Sequence, residues 1–389
     1  MTSMGSTPRS DSVRTPYRHF HRIAWLAATL ALCVIVFGAF VRLSNAGLSC
    51  PDWPTCYGRA AWPTQASDVA QHAANAIRVA DPTKAWREQL HRHLAATLGG
   101  LVFVLALLAA RRRRLGIAQV LVAGVLVGIS IPLYMHAQYT PAAVLAIAGE
   151  LILLAAAVRW DNSDLSRVAA LVLMTIVFQA LLGMWTVTWL LKPIVVMGHL
   201  LGGLTTFALL LWMAWRATNL PIRLAEARTL CRLVAIGVVL LGIQIALGGW
   251  VSSNYAALAC GNDFPKCVGE WMPPANFHQG FVLWRGVGVD YEGGVLDGAS
   301  RIAIQLAHRI MAGVVFVYLL GLALRLLRTP GMRGWGTVLG VLTLAQVALG
   351  IANVKLGLPL HVAVSHNAGA ALLLATLVTL LARVRAPRV

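Results

Sequence analysis

The stretch WREQLHRHLAATL, Trp86–Leu98, decides how the rest of the chain is interpreted. It opens a long apolar segment and places a carboxylate and an imidazole, Glu88 and His91, three residues apart. Residues at this spacing lie on the same face of a helix. Ionisable groups at the mouth of a membrane span are unfavourable, so their presence there indicates a function.

A related stretch, QLAHRIMAG, occupies Gln305–Gly313. The histidine–arginine pair returns there as His308 and Arg309, whereas the position of the glutamate is taken by Gln305. Two similar segments, of which only one carries an acid, indicate two related halves with different chemistry.

The composition is that of a membrane protein. Of the 389 residues, 58% are hydrophobic and only 12% are charged, whereas soluble domains contain about 25% charged residues. The net charge of +18 would also suit a nucleic-acid-binding protein. The basic residues cluster between apolar runs, however, as they do in the cytoplasmic loops of membrane proteins. We therefore expect a lipid bilayer around the chain and no nucleic-acid partner.

Apolar runs of about 20 residues, the length that crosses a bilayer, occur ten times. The third and fourth runs are short and are joined by few polar residues, so a re-entrant pair is an alternative to two complete spans. The predicted spans are Ile23–Leu43, Leu90–Ala110, Leu115–Leu133, Pro141–Val158, Val168–Trp189, Ile194–Trp215, Leu233–Ser253, Ile302–Leu324, Trp335–Val354 and His361–Ala382.

The basic residues also predict the orientation. Loops rich in arginine, including Arg111–Arg114 and the segment 216–232, are expected on the cytoplasmic side together with both termini. The opposite side carries two long loops, 44–89 and 254–301, and each contains a pair of cysteines.

An internal repeat divides the chain. The segment GAFVRLSNAGLSC, Gly38–Cys50, aligns without a gap with GGWVSSNYAALAC, Gly248–Cys260. The halves differ in length by the extra segment 115–158. Removing it leaves two four-helix units in the same orientation, a parallel repeat about an axis along the membrane normal. Further matches are His91 with His308, Gln179-x-x-x-Gly183 with Gln346-x-x-x-Gly350, and His199 with His366.

The sequence therefore predicts an all-α polytopic membrane protein with two pseudo-symmetric four-helix bundles and an extra pair of hydrophobic helices in the first half. The predicted divisions are a cytoplasmic N-terminal tail at 1–22, two spans at 23–110 with the cysteine loop 44–89, the inserted pair at 111–167, two further spans at 168–216, a cytoplasmic linker at 217–232, and the second half at 233–389 with the cysteine loop 254–301.

Four histidines occupy repeat-related positions in the first turns of predicted spans, namely His91, His199, His308 and His366. Each half contributes one pair on two helices, at a similar depth. Histidines that face each other across a four-helix bundle suit a bis-histidine haem site. Polar packing at a helix mouth is the alternative for any single histidine. Zinc is the competing metal, but no Cys-x-x-Cys or His-x-x-x-His cluster supports it.

Two cysteine pairs, Cys50/Cys56 and Cys260/Cys267, lie in loops predicted on the oxidising side, where disulfides persist. Each pair encloses a proline, which favours a turn that brings the sulfurs together. A structural staple is the favoured interpretation for Cys260/Cys267. For Cys50/Cys56, a redox role and a staple are equally open.

The half that keeps Glu88 can move protons, whereas Gln305 can only form hydrogen bonds. Such a difference between otherwise matched sites is what a catalytic half and an electron-transfer half would need.

Eight motifs are spread over nearly the whole chain, except roughly 115–158. They are GLSCPDWPTC at Gly47–Cys56, E-x-x-H-R at Glu88–Arg92, QALLGMWTVT at Gln179–Thr188, GHLLGG at Gly198–Gly203, the cysteine segment Cys260–Cys267, PPANFHQGFVLWR at Pro273–Arg285, QLAHR at Gln305–Arg309 and SHNAGA at Ser365–Ala370. In these motifs the chain resembles the haem A synthase family. The cysteine pairs are similar to those of the bacterial cysteine-containing members.

The resemblance implies oxidation of a ring methyl of haem O to the formyl group of haem A, by two successive hydroxylations and loss of water. It implies a resident haem b on His308 and His366, substrate haem O on His91 and His199, and Glu88 as acid/base or charge stabiliser.

Three arginines, Arg42, Arg92 and Arg309, are candidates for contacts with haem propionates, because guanidinium matches carboxylate geometry. Snorkelling at helix ends is the alternative. The resemblance also implies a place in the bacterial inner membrane, with periplasmic cysteine loops, beside haem O synthase and cytochrome oxidase assembly factors. A homo-oligomer is compatible with it.

Two other functions are open. A non-catalytic di-haem b-type cytochrome that passes electrons from quinol would explain the histidines and the repeat, but not the difference between Glu88 and Gln305. A secondary transporter would explain the parallel repeat, but few charges line the span centres.

Overall fold

The computed structural model describes residues 18–65, 69 and 81–387. Residues 1–17 of the predicted tail, part of the first cysteine loop, and residues 388 and 389 lie outside the described residues. The described residues are almost entirely helical. Their elements are α1 Phe20–Leu43, α2 Pro82–Ala110, α3 Gly116–Met135, α4 Tyr139–Arg159, α5 Ser166–Thr188, α6 Pro193–Thr218, β1 Ile222–Arg223, α7 Ala227–Ser253, α8 Phe277–Gly280, α9 Gly298–Arg328, α10 Arg333–Lys355, α11 Leu360–Arg383 and β2 Val384–Arg385.

Ten of these helices, all except the short α8, are long and apolar enough to cross a membrane. The all-α polytopic prediction is therefore confirmed. Helices α3 and α4 contain 20 and 21 residues. At about 1.5 Å per residue, each is long enough for a hydrocarbon core about 30 Å thick. The extra segment thus forms two complete helices rather than a re-entrant pair.

The helices pack as two rings of four. In the first ring α1 contacts α2, α2 contacts α5, α5 contacts α6, and α6 returns to α1. In the second ring α7, α9, α10 and α11 contact one another in the same order. The rings meet mainly where α6 contacts α11, where α6 contacts α7, and where α1 contacts α11. Each helix of one ring therefore has a counterpart in the other.

The inserted pair lies outside the first ring, where α3 contacts α2 and α4 contacts α5. Its two ends are joined by Arg113, whose Nη2 lies 2.8 Å from Asp161 Oδ1 and 2.7 Å from Asp164 Oδ1. The guanidinium holds the pKa of the Asp161 carboxyl below its usual range. Because this loop contact closes the pair on itself, α3 and α4 add to the ring without interrupting it.

Helices α2 and α9 begin earlier than predicted, at Pro82 instead of Leu90 and at Gly298 instead of Ile302. Each start has an aspartate cap: Asp81 accepts from the Thr83 N–H at 3.0 Å, and Asp297 from the Ser300 N–H at 2.7 Å. Such caps satisfy N–H groups that the helix leaves free. Hydropathy does not detect these polar turns. His91 and His308 consequently lie deeper in their helices than the first turns that the sequence predicted.

The main apolar core fills one end of both rings. In the four histidine-bearing helices, the buried core residues follow the histidine, from Leu98 in α2, Leu204 in α6, Val315 in α9 and Ala371 in α11. The histidines therefore lie toward the end that the cysteine loops cover. At the opposite end β1 pairs in parallel with β2 and joins the connection between the halves to the C-terminal segment.

Candidate functional site

Each ring carries its two histidines on diagonally opposite helices. His91 of α2 and His199 of α6 are close enough to interact electrostatically, and so are His308 of α9 and His366 of α11. The structure thus brings together the same pairs that the repeat predicted.

A glycine of a neighbouring helix faces every one of these imidazoles. The gap is too small for a side chain, because Cβ atoms essentially never approach within 3.0 Å and seldom within 3.4 Å of other atoms. A β-carbon would lie 2.7 Å from His91 Cε1 at Gly38, and 3.2 Å from the Cε1 of His199, His308 and His366 at Gly183, Gly248 and Gly350, respectively.

The imidazoles also leave polar atoms unsatisfied. The Nδ1 atoms of His91, His199 and His366 are buried without a hydrogen-bond partner, an arrangement that is unfavourable unless a further group completes the site. We call the gap between each imidazole and the glycine that faces it a glycine clearance. Buried, paired imidazoles beside such clearances fit an imidazole-ligated planar group such as haem. The residues present are therefore compatible with the haem sites that the sequence predicted.

Glu88 connects the first histidine pair to the first cysteine loop. Glu88 is buried, with only 4% of the residue exposed. Oε2 accepts from the Cys50 N–H at 2.9 Å and from Ser49 Oγ at 3.1 Å, while Oε1 accepts from Arg92 Nη2 at 2.5 Å. The acid is thus held in one position, one helical turn from His91.

The corresponding side chain of the second half has no such network. Gln305 is equally buried, at 4% exposure, but its Oε1 has no hydrogen-bond partner. The sites therefore differ in the connection to the loop as well as in the ionisable group.

Both predicted cysteine pairs form disulfides, Cys50–Cys56 and Cys260–Cys267. All four cysteines are buried. After each disulfide the chain makes the same small antiparallel bridge, Cys56 with Arg59 and Cys267 with Glu270. The pairing is confirmed, whereas a redox role for Cys50–Cys56 stays a prediction.

The two predicted propionate arginines of the E-x-x-H-R and Q-x-x-H-R motifs bind their own cysteine loops. Arg92 Nη1 donates to the carbonyl oxygens of Asp52 at 2.7 Å and Thr55 at 2.6 Å. Arg309 donates to those of Lys266 and Asp263, both at 2.9 Å. Each arginine therefore fixes the loop above the histidine that precedes it.

Comparison with known proteins identifies the family of this chain. Residues 21–378 match the family model COX15-CtaA, described as cytochrome oxidase assembly protein. The chain belongs to this family.

Curated relatives of the family agree with this assignment. The haem A synthase of Shewanella oneidensis is 38% identical over 366 residues, covering 92% of this chain and 96% of its own. The haem A synthase of Caulobacter vibrioides is 32% identical over 225 residues, 54% of this chain and 60% of its own. That of Rhizorhabdus wittichii is 32% identical over 181 residues, covering 46% and 48%.

Arg42, the third predicted propionate arginine, lies between the two halves of this family member. Its Nη2 donates to the Ser252 carbonyl at 3.0 Å, and its guanidinium lies 4.6 Å from the centroid of the Tyr255 ring. Both contacts cross from the first half to the second. Its Nε is buried without a partner, so the guanidinium retains a free donor.

Lys192 is a residue that sequence reasoning missed. It is fully buried, its Nζ has no hydrogen-bond partner, and it lies 3.4 Å from the centroid of the Trp284 ring. Trp284 belongs to the second cysteine loop, which also reaches the first half through the Tyr291 N–H bonded to the Leu190 carbonyl at 3.1 Å. The only signal in the sequence is a lysine directly before a span.

Proposed function

We propose that this protein is a haem A synthase, an oxidoreductase that converts a ring methyl of haem O into the formyl group of haem A. The observation that carries the proposal is the presence of two matched histidine sites, of which only one contains an acid. A di-haem electron carrier needs no such difference, whereas an enzyme with one reacting haem and one electron-transfer haem does.

His91 and His199 would hold the substrate haem O, and His308 and His366 a resident haem b. Haem b supplies an electron-transfer centre when it is bound. The diagonal histidine pairs and the glycine that faces each imidazole support both assignments.

Glu88 acts on the first site. Hydroxylation of a methyl group removes a proton and two electrons from the substrate. The carboxylate, one turn from His91, would accept the proton, and the electrons would leave through the haem b site to an external electron acceptor. Arg92 and the Cys50 N–H orient it, since each donates to one of its oxygens. The disulfide loop therefore positions the acid, even when the disulfide itself exchanges no electrons.

The enzyme would work in the bacterial inner membrane, with both termini in the cytoplasm and the cysteine loops in the periplasm. Its substrate would come from haem O synthase, and its product would pass to terminal oxidases with the help of assembly factors. The ten apolar helices and the bacterial relatives support this location.

The proposal is tested by extracting haem from membranes of a host that makes haem O but not haem A. The protein should yield haem A. The Glu88→Gln variant, which copies Gln305, should yield haem O or a stalled hydroxylated haem. If the parent protein is expressed, binds haem and leaves haem O unchanged, the synthase proposal fails and the di-haem cytochrome becomes the better explanation.

A further inference from the structure

A glutamine lies one helical turn before three of the four glycines that face the histidines. The pattern Gln-x-x-x-Gly occurs at Gln179, Gln244 and Gln346. In α1 the same position, four residues before Gly38, is occupied by Val34. One histidine of the four, His91, therefore faces a helix without the glutamine.

The three glutamines make the same contact. Each Nε2 donates to the backbone carbonyl of the histidine opposite: Gln179 to His199 at 2.7 Å, Gln244 to His308 at 3.2 Å, and Gln346 to His366 at 3.0 Å. In the second half the amide reaches the ring as well, since Gln244 Nε2 lies 3.1 Å from His308 Nδ1 and Gln346 Nε2 lies 3.4 Å from His366 Nε2. All three glutamines restrain the helix that carries the histidine, and Gln244 and Gln346 also contact the imidazole.

His91 lacks this restraint. Valine has no hydrogen-bonding group in its side chain, so no amide from α1 reaches the backbone carbonyl or the ring of His91. The Nδ1 atom of His91 is buried without a partner, as are those of His199 and His366. The nearest aromatic ring described for it is Phe37, with centroids 6.4 Å apart. Among the residues that the structure describes, no glutamine side chain restrains this imidazole.

A partner of the second ring nitrogen matters for a metal-bound histidine. When one nitrogen binds iron, the other carries the proton and needs an acceptor, which fixes the ring and increases its basicity. Gln244 Oε1 is buried without a partner. A half-turn of its amide would place this oxygen, rather than the nitrogen, against His308 Nδ1. Loss of such a partner typically weakens metal binding by about 10- to 100-fold.

We propose that Val34 makes His91 the releasable ligand of the substrate haem, and that Gln244 keeps His308 permanently bound to the resident haem. The inference rests on the proposed function. It gives the two sites different coordination chemistry: the reacting haem gains an open position when His91 leaves, while the electron-transfer haem stays closed to exogenous ligands.

Carbon monoxide is the probe that tests this inference, because it binds reduced haem only where a coordination position opens. In full-length protein with His308→Ala and His366→Ala, haem is confined to the first half. Reduced haem there should bind carbon monoxide, and Val34→Gln should weaken this binding by about tenfold or more. Val34→Met, which has the length of glutamine but no amide, is the matched control and should leave it unchanged.

The reciprocal variants test the second half, with His91→Ala and His199→Ala to empty the first. Reduced haem with Gln244 intact should not react with carbon monoxide, whereas Gln244→Met should make it reactive. Gln244→Glu, which keeps an acceptor for Nδ1–H, should remain closed. Where a protein with two histidine-to-alanine substitutions does not accumulate, the Val34 and Gln244 variants are compared in the parent protein, which keeps all four histidines and both haems.

The inference is overturned when Val34→Gln behaves like Val34→Met, or when Gln244→Met stays closed to carbon monoxide. Haem A production by the parent is scored separately. If the parent produces haem A but the variants bind carbon monoxide as their controls do, only the ligand assignment is refuted. If the parent neither binds haem nor produces haem A, the proposed function is refuted.

Discussion

The two halves share their framework and differ where chemistry would take place. Both have a four-helix ring, a diagonal histidine pair with facing glycines, a disulfide loop, and an arginine that binds this loop. They differ at Glu88 against Gln305 and at Val34 against Gln244. The residues that would bind haem are common to both halves, whereas the two positions that differ are the ones assigned to the reaction. Binding and reaction are therefore separable in this fold.

The largest effect on haem A formation is expected when the acid of the first half is replaced by the glutamine that the second half has at the same position. Glu88→Gln should lower haem A formation by about 100-fold or more, since a positioned acid or base contributes about 10²- to 10⁴-fold. The haem A to haem O ratio in extracted membranes measures it. Gln305→Glu is the matched control and should leave product formation within about twofold of the parent; a larger loss there would show that the acid is not what distinguishes the halves.

A glycine clearance offers a way to empty one site selectively. In Gly38→Ala the new methyl would lie 2.7 Å from His91 Cε1, and overpacking of this kind costs about 1–3 kcal/mol. We expect the haem content to fall from two per chain toward one, as measured by pyridine haemochrome absorbance. Gly99→Ala is the control in the same ring. Its added methyl group would have no atom within 4 Å, so this variant should retain both haems. Equal loss in the two variants would contradict the role of the clearance.

Removing each disulfide in turn gives a further comparison of the two halves. Replacing Cys50 and Cys56 with alanine releases the loop that presents the Cys50 N–H to Glu88, so product should fall several-fold while the resident haem stays. Replacing Cys260 and Cys267 should instead reduce stability, by about 2 kcal/mol, with a smaller effect on product per folded protein. Thermal unfolding and haem extraction on the same samples separate the outcomes. Identical behaviour of the two pairs would argue for simple staples in both halves.

The smallest effect is expected at the inserted pair. Arg113→Ala removes a contact with the exposed Asp161, which contributes about 1 kcal/mol or less, and one with the buried Asp164, whose carboxylate still accepts from the Ser166 N–H at 3.1 Å. The midpoint of thermal unfolding should fall by a few degrees at most, and haem A formation should not change. A large loss of product would show that α3 and α4 take part in the reaction.

Much of this architecture is accessible from the sequence because it is periodic or repeated. Apolar runs give the spans, and self-alignment gives the two halves, the histidine pairs and the cysteine pairs. The first turns of α2 escape a hydropathy scan because they are polar, and their cap, Asp81, acts through local hydrogen bonds from Thr83. The contact of Glu88 with the Cys50 N–H and that of Arg42 with Ser252 join residues far apart in the chain. Only the three-dimensional structure reveals these pairings.

The contacts between the rings repeat under exchange of the halves. The contact of α6 with α7 corresponds to that of α11 with α1, and α6 meets its own counterpart in α11. This is the isologous pattern of a two-fold homodimer, here contained in a single polypeptide. In a dimer of identical chains, every substitution appears in both sites at once. Fusion of the two copies removes that constraint, so a residue such as Glu88 can occur in one site while the other keeps an uncharged side chain.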